Sequence, residues 1–316
     1  MLFPVSGVEV HPLEPFLVAL LVSFFTSMGG VSGAFLLLPF QVSILGFTSP
    51  AVSPTNLVFN VVAIPSGVYR YIQEGRMAWP LTWVVIVGTL PGVFIGAFLR
   101  IKYLPDPKAF KLFAGCVLLY IGCRLLYDLW RPRPGLQALE AKFTARVAAL
   151  KQARQSRVAA GLPPEAVVRT LKFTPSQIAY EFYGETFAFS TWGIFTLSFI
   201  VGVVGGTYGI GGGAIVAPFF VAVFGLPVYT VAGAALMGTF ITSIAGVLFY
   251  MAIAPWYPQQ AIAPDWLLGL LFGLGGMAGM YLGARAQKFV PAKIIKMILA
   301  AILLYLAGSY MIGFFR

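Results

Sequence analysis

The residues of this chain that could do chemistry gather around glycine. Residues 29–40 read GGVSGAFLLLPF, a Gly-rich break with Ser32 in its middle, inside an otherwise apolar run. The arrangement returns as GIGGGAIVAPFF over residues 209–220, in a register that sets Gly30 on Gly209 and Gly33 on Gly212, a displacement of 179 (209 − 30). Three chemistries compete for such a stretch. A serine between glycines can serve as a protease nucleophile, a glycine loop can cradle a phosphate, and a glycine-broken helix can turn its free backbone donors toward an anion.

The first two fail on what surrounds them. A serine nucleophile needs a base within hydrogen-bond reach, and the only histidine, His11, stands in the polar head before the first apolar run. Ser32 also aligns with Gly211, so the repeat treats that position as a backbone hinge. No Gly-Lys-Ser/Thr follows either motif, and Gly209-x-Gly211-x-x-Ala214 lacks the strand and the acidic partner of a dinucleotide fold. The helix break remains. Glycine tolerates a reversal, and arms starting near Gly33 and Gly213 would present unpaired N–H groups with the helix dipole behind them. Two such ends brought together near a membrane midplane would bind an anion without any buried lysine or arginine.

Uncharged polar residues inside the apolar runs extend this set. Asn56 and Asn60 stand at i and i+4 on one helix face, Ser53 precedes them by a turn, and Asn60 aligns with Thr239. In hydrocarbon they either bond neighbouring helices or face a wet cavity. Thr26, Ser27, Thr207 and Tyr208 flank the breaks. The candidate substrate-binding residues are therefore Gly30, Ser32, Gly33, Asn56, Asn60, Gly209, Gly211, Gly212, Gly213 and Thr239. No carboxylate stands in mid-membrane, which leaves a carboxylate proton shuttle unsupported. The sequence holds no acid, base or metal cluster, so no catalytic residue, metal or cofactor is expected.

The elements that must position these residues are membrane helices. Of 316 residues, 59% are hydrophobic and 10% charged, and the mean hydropathy is +0.89, far from the balance of a soluble domain. The apolar runs are continuous rather than alternating, and several reach the roughly 20 residues of a spanning helix, which argues for helices over barrel strands. The first run follows Glu9, His11 and Glu14 with no basic leader, so it is expected to stay in the chain. The net charge of +11 sits between apolar runs, where topology places basic residues, and no soluble segment is large enough for a nucleic-acid fold. Cys116 and Cys123, seven apart in one run, suit packing rather than a disulfide or metal pair.

The repeat fixes the organisation. Pro39, Phe40, Gly46, Gly67 and Tyr71 fall on Pro218, Phe219, Gly225, Gly246 and Tyr250; Gly88, Gly92 and Gly96 then match Gly275, Gly279 and Gly283, and Lys111 and Tyr120 match Lys296 and Tyr305. The glycine rows let helix backbones approach closely in lipid. The expected domains are an N-terminal transmembrane repeat over 1–130, a basic cytoplasmic linker over 131–186, and a C-terminal repeat over 187–316. A short basic helix is expected at 136–159. If each broken run crossed fully, the halves would be parallel and both Arg100–Lys111 and Arg285–Lys296 would lie outside. If each dips in and returns as a V followed by three spanning helices, the second half is inverted and Arg285–Lys296 moves inside with Arg70, Arg76 and the linker. The positive-inside rule favours the inverted arrangement, and paired glycine-interrupted segments in the two halves point to a transport site. The fold class is thus an all-α polytopic membrane protein of two repeats.

With GGVSGAFLLLPFQVSILGF and SPTNLVFN in the first half and GIGGGAIVAPFFVAVFGLP in the second, the chain resembles the sulfite exporter TauE/SafE family over nearly its whole length apart from the linker. The resemblance implies a multi-pass transporter of the prokaryotic inner membrane, moving a small sulfur-containing anion such as sulfite or a sulfonate. The family's glycine-rich turns correspond to Gly29 through Gly33 and Gly209 through Gly213, and its Thr-Asn-Leu stretch to Thr55, Asn56 and Leu57. The expected partners are the anion and the lipid bilayer, with a homodimer compatible. An anion channel, or a membrane-embedded enzyme or assembly factor, are the rivals.

Overall fold

The computed structural model describes residues 1–28, 31–73, 75, 77–130, 167–182, 184–286 and 292–315. The first half holds five helices: α1 (Leu13–Met28), α2 (Ala34–Ser43), α3 (Val52–Gln73), α4 (Trp79–Lys102) and α5 (Pro107–Trp130). The second repeats the plan with α6 (Thr191–Tyr208), α7 (Val216–Phe224), α8 (Val228–Ile253), α9 (Trp266–Ala286) and α10 (Ala292–Phe315). The helix termini follow the local sequence. Ser190 accepts a bond from the Gly193 N–H to start α6, whereas Gly209 (φ 79°) and Gly225 (φ 66°) end α6 and α7 in the left-handed region that glycine reaches without a Cβ penalty.

Among the described residues, six helices are long and apolar enough to cross a membrane: α4, α5, α6, α8, α9 and α10. α3 has 22 residues, enough for about 33 Å of rise, but Asn56, Asn60 and its other polar residues set it apart from those six. α1 and α2 are shorter, at 16 and 10 residues.

Close packing follows the glycine rows. Gly88 lies against Phe195 and Ser198, Gly92 against Phe199 and Val203, and Gly96 against Val203 and Thr207, so α4 and α6 run side by side in the same direction. A Cβ on Gly92 would stand 2.5 Å from the Phe199 carbonyl oxygen, so only glycine lets these backbones meet. The same construction joins α9 to α1, with Gly275, Gly279 and Gly283 against Phe16, Leu20 and Phe24. α3 runs with α9 (Gly269 on Val58, Gly273 on Val62) and α4 with α8 (Gly238 on Val85, Gly246 near Val93). Two pairs run in opposition: α3 with α8, where Gly246 meets Leu57 and Gly67 meets Leu236, and α5 with α10, where Gly115 meets Tyr310 and Gly122 meets Leu304. Thus α1, α3 and α9 point one way and α4, α6 and α8 the other. Exchanging the halves maps α4–α6 onto α9–α1 and α3–α9 onto α8–α4, and leaves α3–α8 and α5–α10 as they are.

Both ends of the bundle carry a small cap. Before α1, a turn closed by the Leu2–Glu9 bridge buries Phe3 and Val8, and Ser6 donates through N (3.1 Å) and Oγ (2.9 Å) to Asp265 at the start of α9. Before α6 lies a three-stranded antiparallel sheet of order β1 (Arg169–Phe173), β2 (Gln177–Phe182), β3 (Glu185–Ser190). Its β2 side chains Ile178, Tyr180 and Phe182 are buried at period two, and Tyr180 Oη meets Thr230 Oγ1 at 2.7 Å. Val168 N–H donates to the Gly75 carbonyl beyond α3, which ties the sheet to the first half. The sheet is an addition to the helical plan, and β3 runs across the expected linker boundary at 186. The helix expected at 136–159 lies outside the described residues. Cys116 and Cys123, expected to pack, are instead exposed on the outer side of α5.

Candidate functional site

Both glycine breaks converge on the middle of α3, and the residues that receive them are the two asparagines. Asn56 Nδ2 donates to the Ala34 carbonyl (3.0 Å), at the start of α2, and to the Gly209 carbonyl (2.9 Å), at the end of α6. Its Oδ1 accepts from Gln41 Nε2 (3.2 Å). One turn on, Asn60 Nδ2 donates to the Ile210 carbonyl (2.9 Å) and to Ser243 Oγ (3.2 Å), while its Oδ1 accepts from Ser32 Oγ (2.7 Å). Both asparagines are fully buried, so each amide spends every hydrogen on protein. Of the two alternatives open in the sequence, the bonding of neighbouring elements is what the structure shows for Asn56 and Asn60, and both breaks are among the elements they bond.

The glycines divide by task. Gly209 (φ 79°) and Gly211 (φ 84°) hold the left-handed backbone that makes the second reversal. Gly33, by contrast, is right-handed at φ −66°, and its missing side chain leaves room for Ser23 and Phe59. At Gly212 a Cβ would stand 2.6 Å from Thr89 Cβ on α4, and at Gly213 it would strike the Ala235 carbonyl of α8. Gly212 and Gly213 are therefore contact positions, with the turn made two residues earlier. Gly30 lies outside the described residues.

Two N–H groups at the arms, expected to be free, are engaged within the protein. The Gly212 N–H donates to Thr242 Oγ1 (3.1 Å), and the Ala34 N–H to Ser32 Oγ (3.3 Å), so Ser32 caps its own arm. Thr239, the repeat partner of Asn60, folds its hydroxyl back on the Ala235 carbonyl (2.8 Å) because a threonine is too short to cross to the opposite break. Ser243, one turn further, reaches α3 instead, where it accepts from Asn60 Nδ2. Of the flanking residues, Thr207 bonds back to the Val203 carbonyl (2.8 Å), Ser27 to the Phe24 carbonyl (3.2 Å), and Tyr208 reaches the Phe35 carbonyl of α2 (3.1 Å).

Sequence reasoning missed Gln41, Thr242, Ser243 and Arg100. The first three carry a usable signal, as uncharged polar groups in apolar runs; Thr242 and Ser243 continue the helix face of Thr239. Arg100 differs. The charge count sets it outside, among the cations between apolar runs, and the structure buries it: Arg100 is 0% exposed. It lies at the end of α4 with its guanidinium 3.7 Å above the Phe110 ring of α5. No carboxylate is bonded to it among the described residues.

A bundle of apolar helices built from two matching halves, with polar side chains gathered where two broken helices meet, defines a polytopic membrane transporter. The model of the family described as sulfite exporter TauE/SafE matches residues 16–311. The chain belongs to that family. Two relatives come from Bacillus subtilis (strain 168): one described as "Probable membrane transporter protein YunE" is 22% identical over 253 residues, covering 79% of this chain and 76% of its own. The other, described as "Probable membrane transporter protein YdhB", is 27% identical over 122 residues, covering 39% of this chain and 46% of its own. No solved structure gives a significant match. The chain is a multi-pass membrane transporter, with a lipid bilayer around it and a small molecule as its substrate.

Proposed function

We propose that the protein is a secondary transporter of the prokaryotic inner membrane, and that it moves a small sulfur-containing oxyanion, sulfite or a sulfonate, by alternating exposure of a site between two inverted halves. The observation that carries this is the bridging of both breaks by Asn56 and Asn60. Four amide N–H bonds now satisfied by backbone carbonyls and Ser243 are the donors an oxyanion would accept. An anion arriving at the crossing would replace the Gly209 and Ile210 carbonyls as their acceptor and so separate the second break from α3. Substrate binding and movement of one half against the other would then be a single event.

The running directions support the inversion. α1 and α3 point the same way, so α1 with α2 must begin and end at one face, as a V does; α6, α7 and α8 do the same from the opposite face. On the positive-inside rule, the face with Lys172 and the linker is cytoplasmic and the face with Lys102 and Lys108 is periplasmic.

The test is uptake by proteoliposomes holding the pure protein, with labelled sulfite, thiosulfate and taurine offered one at a time, with and without a pH gradient. Saturable uptake of one or more, competed by the others, is expected. Failure of all three to enter faster than in protein-free vesicles would overturn the assignment.

A further inference from the structure

Beside the asparagine crossing lies a second group of buried polar side chains with hydrogen-bonding atoms left over. Arg100, Tyr250 and Ser53 are each 0% exposed. The Tyr250 hydroxyl has both the Arg100 guanidinium and the Ser53 hydroxyl as neighbours, without hydrogen-bond geometry to either. Arg100 Nε, Arg100 Nη2, Tyr250 Oη and Ser53 Oγ have no hydrogen-bond partner among the described residues. Nη1 alone is engaged, by the Leu104 carbonyl. Burying four such groups together is costly, and a buried cation without a counter-charge is the costliest of them.

The free atoms share a chemistry. Nε and Nη2 form the edge of the guanidinium whose parallel N–H groups fit two oxygens of one anion, and both hydroxyls can donate to the same ligand. Their place is equally specific. Gly209, the left-handed turn of the second break, packs on Ser53 so closely that a Cβ would stand 2.7 Å from Ser53 Oγ. Ser53 is three residues ahead of Asn56, whose amide holds the Gly209 carbonyl. The aromatic Phe110 that covers the guanidinium also neighbours Tyr208 at the break, ring centroids 6.3 Å apart. On the same face, a separate cavity of about 320 Å³ between α2, α5 and α10 is lined by Lys108, Lys111, Ser43, Ser309 and Tyr310, which adds positive charge to that face.

We propose that Arg100, Tyr250 and Ser53 form an oxyanion-binding subsite on the periplasmic-facing side of the second break. It rests on the oxyanion assignment above. Arg100 supplies the charge that the neutral asparagine crossing lacks, and the anion supplies the counter-charge that the guanidinium lacks.

The experiment measures thermal stabilisation of the purified full-length protein in nanodiscs by sodium sulfite, sodium thiosulfate and taurine, against sodium chloride at equal ionic strength. Wild type should gain Tm with at least one of the three, as a ligand bound only to the folded state requires. Arg100→Gln should keep or raise the ligand-free Tm, because a buried charge is removed, and should weaken the apparent affinity roughly 30-fold or more, the value of one or two charge-assisted hydrogen bonds. Arg100→Lys should fall between the two, and Tyr250→Phe should weaken binding about threefold to tenfold, as the loss of one neutral bond does. A ligand shift in Arg100→Gln equal to that of wild type overturns the subsite and leaves the transport assignment standing; the absence of any shift in wild type overturns both. If Arg100→Gln does not accumulate, the undiminished affinity of both Arg100→Lys and Tyr250→Phe overturns the subsite.

Discussion

At the scale of residues, the two asparagines of α3 do most of the joining. Asn60 holds Ile210 and Ser243 and is held by Ser32, so Asn60→Leu leaves three polar groups, one in each break and one on α8, without this partner. Each such bond in a membrane is worth about 0.6 kcal/mol on average and up to about 1.7. The variant is therefore expected to lose on the order of 1 to 3 kcal/mol of stability, read as a lower Tm in nanodiscs, and to lose saturable uptake. Ser32→Ala removes one bond to Asn60 and the local cap on Ala34, and since no nucleophile is involved it should keep uptake with a modest drop in apparent affinity. Abolished uptake in Ser32→Ala with wild-type uptake in Asn60→Leu would reverse these roles. The asparagines were legible in sequence because an uncharged polar group in an apolar run needs a partner. Arg100 was not, because three residues before a loop and beside Lys102 it reads as a flanking cation; only the approach of Phe110 from α5 buries it.

At the scale of elements, the sequence showed that the chain breaks at glycine and marked the position of Ser32 and Gly211 as a hinge. In the second motif the left-handed residues are Gly211 and, two residues before it, Gly209. Backbone sign is set by how α6 must leave its contact with α4, and no periodicity records that. Gly211→Ala forces a Cβ into φ 84° and to 2.9 Å from Ser243 Oγ, a strain of about 1 to 2 kcal/mol; folded protein should still reach the membrane, with uptake reduced. Gly92→Leu should fail differently, since its Cβ would meet the Phe199 backbone at 2.5 Å along the whole α4–α6 seam, and fluorescence-detected size-exclusion chromatography should show loss of monodisperse protein. The sheet Arg169–Ser190 went unread for a plain reason. Its short strands lie in a hydrophilic segment where basic residues dominated the pattern, and β1 is exposed throughout.

At the scale of the whole molecule, the proposed inversion of two halves that exchange under the same set of helix contacts would place equivalent ends on opposite faces. Single cysteines in a background with Cys116→Ser and Cys123→Ser test this directly: Lys102→Cys should react with an impermeant thiol reagent added from the periplasmic side and Lys288→Cys only after the membrane is opened. Equal reaction of both from one side would restore the parallel arrangement. The plan of five helices, repeated, was legible because glycine spacing survives where side-chain identity does not. The caps at the two faces were not, since each is held by isolated contacts such as Ser6 to Asp265 and Tyr180 to Thr230. The central claim is alternating exposure of an anion site, and the measurement that meets it most directly is counterflow. Proteoliposomes preloaded with unlabelled sulfite and diluted into a trace of labelled sulfite should accumulate label to a transient overshoot above equilibrium, because a site that faces one side at a time returns loaded. Label that rises to equilibrium with no overshoot, at a rate indifferent to the preload, would contradict the account and describe a pore.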